Sequence, residues 1–287
     1  MEASSSVTEI DSVQQGVRDY LLRKHSNVFL SVSGASILFL VIAGAMFYLQ
    51  GRQFLPLIAN DDSFAILIGI FLLFILLIPQ IIMYWVAYKQ VRREFMQQIA
   101  ESLGYTYSTS APLESVSGVL FSDGHAQKIY DVISGTYKNF PVRLFTYQYT
   151  TGYGKSAHTF YTTCLELTYE ASLPHILLYP GYIFAMGLML DLDVFEKVSL
   201  EGNFDDYFSL YVSKNAQVET REILTPDIMQ ELIQSFTNYK MEINGNKVYM
   251  SIQKILNTRS EILEMHDLAD SLIDGLLPGF RATSVRN

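Results

Sequence analysis

The sequence is poor in cysteine, in histidine and, over long stretches, in charge. A single cysteine, Cys164, excludes a disulfide framework within the chain and any cysteine-rich zinc site, and it agrees with a reducing compartment. The histidines do not help a metal either, because His125, His158 and His175 stand alone with no partner at ligand spacing. No metal and no cofactor are therefore expected. No G-x-S-x-G elbow occurs, and Cys164 lies between Thr163 and Leu165 with nothing resembling a catalytic surround. It reads as a buried small apolar residue, and no catalytic residue is assigned.

The missing charge has the largest consequence. Residues 28–49 and 64–88 contain no Asp, Glu, Lys or Arg, within a chain of 287 residues that is 49% hydrophobic. A helix over the first run is roughly 33 Å long at about 1.5 Å per residue, the thickness of a hydrocarbon core. These runs predict a two-helix transmembrane hairpin. Arg18, Arg23 and Lys24 precede it and Lys89, Arg92 and Arg93 follow it, against Arg52 alone in the connection. Positive residues stay inside, so the expected location is a bacterial inner membrane with both termini and the main domain in the cytoplasm. The domain plan is then a segment at 1–26 with a short amphipathic helix (Ile10, Val13, Val17, Leu21), the hairpin at 27–89, and a cytosolic α+β domain at 90–287. Small residues in the first run (Ser33, Gly34, Ala35, Ser36) leave packing within the hairpin and homo-oligomerisation both open.

What is present after residue 94 is acidic. Residues 1–94 carry seven basic and seven acidic side chains, so of the 20 and 29 in the whole chain, 13 basic and 22 acidic remain. Such a domain repels polyanions, which argues against a nucleic-acid partner. Its first half is strand-like: 129–137, 142–150 and 158–169 are rich in Tyr, Phe, Thr, Val and Ile, with Lys138-Asn139 and Gly152 to Gly154 as turns. Extended segments are expected again at 173–179 and 207–212. Thr225-Pro226-Asp227 starts a helix. The dipeptide Asn244-Gly245 between 239–243 and 246–252 predicts a type I′ hairpin that pairs Met241 with Val248. Thr258 and Glu261 form a capping box for a last helix with Ile262, Met265, Leu268, Leu272 and Leu276 on one face. The fold class is thus a membrane-anchored α+β chain, its sheet mainly antiparallel with flanking helices.

Three stretches invite chemistry. Gly154-Lys155-Ser156 ends like a phosphate-binding loop, but the position of its first glycine is Tyr149, and strand follows where a helix is required. It reads instead as a hairpin tip that projects Tyr153 and Lys155, the two candidate partner-contact residues. The acidic stretch Asp191, Asp193, Glu196, Glu201, Asp205 and Asp206 lacks calcium-loop spacing and reads as a solvated face. Those acids together with His158 or His175 would be the makings of a membrane-anchored hydrolase. A half-open sheet could alternatively hold a lipid or small ligand.

Leu200, Glu201 and Phe204, followed by an aromatic strand and by Leu224, Thr225 and Pro226, resemble an uncharacterised family of bacterial membrane proteins with two N-terminal spans and a cytosolic domain of unknown function. Arg221 matches an Arg that precedes the Leu-Thr-Pro in that family. The resemblance implies the same architecture and supplies no activity. The expected function is a membrane-tethered interaction or sensing module, non-enzymatic, with the lipid bilayer and an unknown protein as partners.

Overall fold

The computed structural model describes residues 10–23, 62–181 and 193–278, with only the backbone at 62–77 and 79. The chain divides into two compact units, Met1–Phe95 and Met96–Asn287.

In the first unit, helix α1 (Val13–Arg23) lies along helix α2 (Asp62–Leu103). A glycine makes their approach possible, since a Cβ at Gly16 would stand 2.6 Å from Val91 Cγ1. Val13, Val17, Ala87 and Val91 are buried, and the Tyr20 hydroxyl donates to Gln90 Oε1 at 2.5 Å. The membrane hairpin is corrected here. Among the described residues no helix is long and apolar enough to cross a membrane. Span 28–49 lies outside the described residues. Span 64–88 falls on α2, whose side chains are described at Ile78 and from Gln80 on, and its charge-free run ends at Tyr88. Lys89, Arg92, Arg93 and Glu94 soon interrupt it, and its apolar positions turn into a stripe buried in protein, Ala87, Val91 and Phe95. The multi-pass inner-membrane location, with its cytoplasmic termini, and the membrane-anchored fold class are withdrawn with it. Ile78, Ile81, Ile82, Tyr84, Trp85 and Val86 are exposed apolar residues on α2.

The second unit is built on an antiparallel sheet: β1 (Thr106–Ala111), β2 (His125–Tyr137), β3 (Phe140–Thr151), β4 (His158–Pro180), β5 (Phe195–Val198), β6 (Phe208–Ser213) and β7 (Lys240–Ile252). Their order is β1-β2-β3-β4-β6-β5, with β7 also on β4. Strand β4 is the axis. It joins the predicted strand at 158–169 and the extended segment at 173–179 into one element that pairs first with β3, then with β6, and with β7 throughout.

Two turns exchange roles. Lys138 and Asn139, with φ of 47° and 70°, make the two-residue connection between β2 and β3, the conformation that a type I′ turn requires. Asn244-Gly245 makes no hairpin. Only Gly245 has positive φ, and β7 runs straight through to pair with β4, Met241 opposite Leu178 and Val248 opposite Leu167. The glycine serves a bulge: between Thr168 and Leu173 strand β4 takes extra residues while β7 advances only from Lys247 to Gly245.

Helices complete the unit. Helix α3 (Phe204–Tyr207) buries Phe204 against Phe208, α4 (Gln217–Ile223) contains the exposed Arg221, and α5 (Pro226–Ser235) starts at the expected proline. Helix α6 (Arg259–Asp270) has the predicted capping box, and a π turn at Ser271–Leu276 continues it. Side chains alternate along the sheet. Leu144, Leu165 and Met250 stand in register on the face left to the helices, and Phe145, Cys164 and Ser251 on the other.

Candidate functional site

Where the second face would be open, the segment from Pro112 to Gly124 crosses it as a strap with short 3-10 turns at Leu113–Ser115 and Val119–Phe121. Irregular backbone over a sheet leaves N–H and C=O groups without ladder partners. Side chains of the sheet supply them. Arg143 donates to Ser115 Oγ at 3.0 Å and to its carbonyl at 3.1 Å, and Lys247 donates to the same carbonyl at 2.8 Å. Glu166 holds both cations, at 2.6 Å from Arg143 and 3.2 Å from Lys247. The Tyr147 hydroxyl donates to the Phe121 carbonyl, and Ser117 N–H donates to the Tyr249 hydroxyl. Burial pushes the Tyr249 phenol up to about 12, so it stays protonated.

The second anchor is Glu242, whose side chain is fully buried. It accepts Val119 N–H at 2.7 Å and Leu120 N–H at 2.8 Å, one on each oxygen, and His175 Nε2 lies 2.7 Å from Oε1. A buried carboxylate is tolerable only when its lone pairs are satisfied in this way. Gly118 is required beside it: φ is 134°, and a Cβ there would lie 2.5 Å from Glu242 Oε1. Sequence reasoning missed Glu242 because nothing in Met-Glu-Ile marks it as buried.

His175 is thereby placed with a different carboxylate from the acids that the sequence offered it. His175 meets Glu242 and the edge of the Phe195 ring, not the acidic stretch after 191. Of that stretch, Asp191 lies outside the described residues, and Asp205 accepts from the Ser199 hydroxyl. His158 is exposed at the start of β4. Cys164 is buried, and burial, with Glu166 nearby, drives its thiol well above the usual range. It is held as a thiol, not the nucleophilic thiolate. Among the described residues no three His, Cys, Asp or Glu side chains gather as a metal site.

The predicted contact residues sit at the β3–β4 tip. Gly152 (φ 70°) and Gly154 (φ 59°) turn the chain, and a Cβ on Gly152 would lie 2.4 Å from the Ser156 carbonyl oxygen. Tyr153 is 78% exposed and Lys155 is exposed beside it. Tyr153 nevertheless has a fixed place: its ring stacks on His125 at 4.5 Å with the planes 9° apart, and His125 Nε2 lies 2.9 Å from the Gly152 carbonyl oxygen. His125 comes from the strap's exit into β2, a neighbour that the sequence could not supply.

A small recess opens under the strap between Val119, Leu120 and Asp123 above and Tyr149, Cys164, Tyr179, Lys240 and Ser251 below, with about 20 Å³ open to the centre of a water-sized sphere.

No family model matches the chain, and no curated protein matches it. A solved structure that it resembles is the mycobacterial trehalose monomycolate transport factor A, TtfA, at a TM-score of 0.46 and 13% identity, covering 63% of this chain and 94% of that one. A likeness of that degree carries no argument about activity.

Proposed function

We propose that the sheet unit is a non-enzymatic binding module that engages a protein partner through the β3–β4 tip, with Tyr153 and Lys155 in contact. The observation behind this reading is the Tyr153–His125 stack. A tyrosine that is 78% exposed yet already held in one orientation offers a large amphipathic surface at little further entropic cost. Lys155, on the same turn, adds a charge that steers encounter. The reading without catalysis is supported by Glu242, Glu166 and Arg143, which are engaged in holding the strap, and by His175, which is engaged with Glu242. The acidic excess after residue 94 favours a protein over a nucleic acid.

The test places a photocrosslinking phenylalanine analogue at position 153 in the full chain, with exposed Val218 as control position. A discrete adduct formed from 153 and absent from 218 is expected, and it should weaken when Lys155→Ala is added. Equal labelling from both positions, or none from 153, overturns the proposal.

A further inference from the structure

The recess under the strap is lined by polar groups whose hydrogen-bonding capacity the fold does not use. The Tyr179 hydroxyl and Ser251 Oγ are buried and have no partner, although both residues are almost wholly enclosed, at 3% and 1% exposure. Buried hydroxyls without a partner are uncommon and costly. Lys240 enters from the start of β7, its ammonium 5.8 Å from the centre of the Tyr179 ring, and Asp123 enters from the end of the strap. Each of these charged groups lies within electrostatic reach of the other. Tyr149, Val119 and Leu120 provide apolar wall.

We propose that this recess is a binding site for a neutral hydroxyl group, of the hydroxymethyl kind that ends a polyol or a sugar. The charges decide the class. Lys240 repels a cation and Asp123 repels an anion, so the favoured guest is uncharged. It must also donate, to Asp123, and accept, from Lys240, Tyr179 or Ser251, and an alcohol does both. Burial acts the same way on the wall itself, raising the Asp123 carboxyl and lowering the Lys240 amine, which weakens the pull on any ionic guest. Size sets the limit: a water needs about 10–15 Å³ by this measure, so about 20 Å³ accepts one hydroxyl with its carbon and leaves the rest of the ligand outside the mouth. The site is independent of the β3–β4 tip, because none of its lining residues lies in that turn.

Lys240 reports occupancy directly. The purified full chain is acylated with limiting acetic anhydride, and the rates at individual lysines are read by peptide mass spectrometry, with glycerol as the hydroxyl probe and sodium acetate as the anionic one. Glycerol is expected to slow Lys240 by about threefold when present at about twice its Kd, relative to Lys247, which lies under the same strap, and to exposed Lys155. Tyr179→Phe and Ser251→Ala each remove an oxygen that bonds nothing in the fold, so both variants should remain folded and both should lose the selective protection. Equal slowing of all three lysines overturns the site. Selective protection by acetate without glycerol overturns the hydroxyl assignment, as does undiminished glycerol protection in Tyr179→Phe and Ser251→Ala.

Discussion

The two faces of the central sheet are covered by different physics. On one, α6 and the following π turn bury Ile262, Met265, Leu268, Leu272 and Leu276. That contact is non-directional and scales with area. On the other, a strap with no regular ladder packs Val116 and Phe121 on Phe145, Tyr147 and Tyr249 and is in addition tied down through Glu166 and Glu242, so that a few well-aimed bonds are added to the apolar contact. The difference teaches where a charged residue in a strand belongs: it is not evidence of a catalytic site when the nearest backbone has orphan N–H groups to satisfy.

The comparison can be broken by truncating one residue on each face. Glu242→Ala should cost about 3–5 kcal/mol, because it strands a half-buried histidine and two strap N–H groups. Amide hydrogen exchange at Val119 and Leu120 should rise in that variant beyond the global loss read by urea unfolding. Leu272→Ala, on the helix face, should cost about 2–5 kcal/mol through its cavity and leave the strap amides protected up to global unfolding. Equal exchange at the strap in the two variants would mean that the strap is held by the core and not by its carboxylate.

A smaller effect separates the two turns. Asn139→Ala puts a Cβ-bearing residue without a compensating amide at φ 70° and should lose about 1 kcal/mol. Asn244→Ala, in a strand at ordinary φ, should stay within about 0.5 kcal/mol. The reverse ranking would restore the Asn-Gly hairpin.

These turns also show how far the sequence could be read. Local signals survived: the β2, β3 and β4 strands, the Pro226 helix start and the Thr258–Glu261 box are each determined by residues within one turn or one strand. Asn244-Gly245 misled because the same dipeptide suits a type I′ turn and a bulge, and only the partner strand distinguishes them. The hairpin at 27–89 rests on two charge-free runs and the basic residues that flank them, and the described length of α2 shows a buried stripe beginning before the charge-free run ends. The strap, the Tyr153–His125 stack and the hydroxyl recess depend on pairs far apart in sequence, such as His175 with Glu242 or Tyr179 with Ser251. No periodicity encodes those pairs. Tyr153 and Lys155 were placed correctly at an exposed turn, while their support from His125 was invisible.

An effect of similar size, but one that depends on pH, lies at the edge of the helix face, where α6 begins. Burial alone would raise the Glu261 carboxyl, but Asn257 N–H at 3.0 Å, the Lys254 ammonium at 3.0 Å and Thr258 N–H at 3.2 Å outweigh it and hold the group near about 2. A carboxyl depressed in the folded state stabilises at pH values above its ordinary pKa, near 4.5, and that contribution fades as pH falls from there through about 2. The side chain is one-third exposed, so solvent screens the ion pair and the capping bonds dominate, at about 1 kcal/mol. Glu261→Gln should therefore be less stable than the parent by about that amount at pH 7, and the gap should close between about pH 4 and pH 2. A Glu261→Gln gap that stayed constant down to pH 2 would show that the box acts through shape and not through its charge.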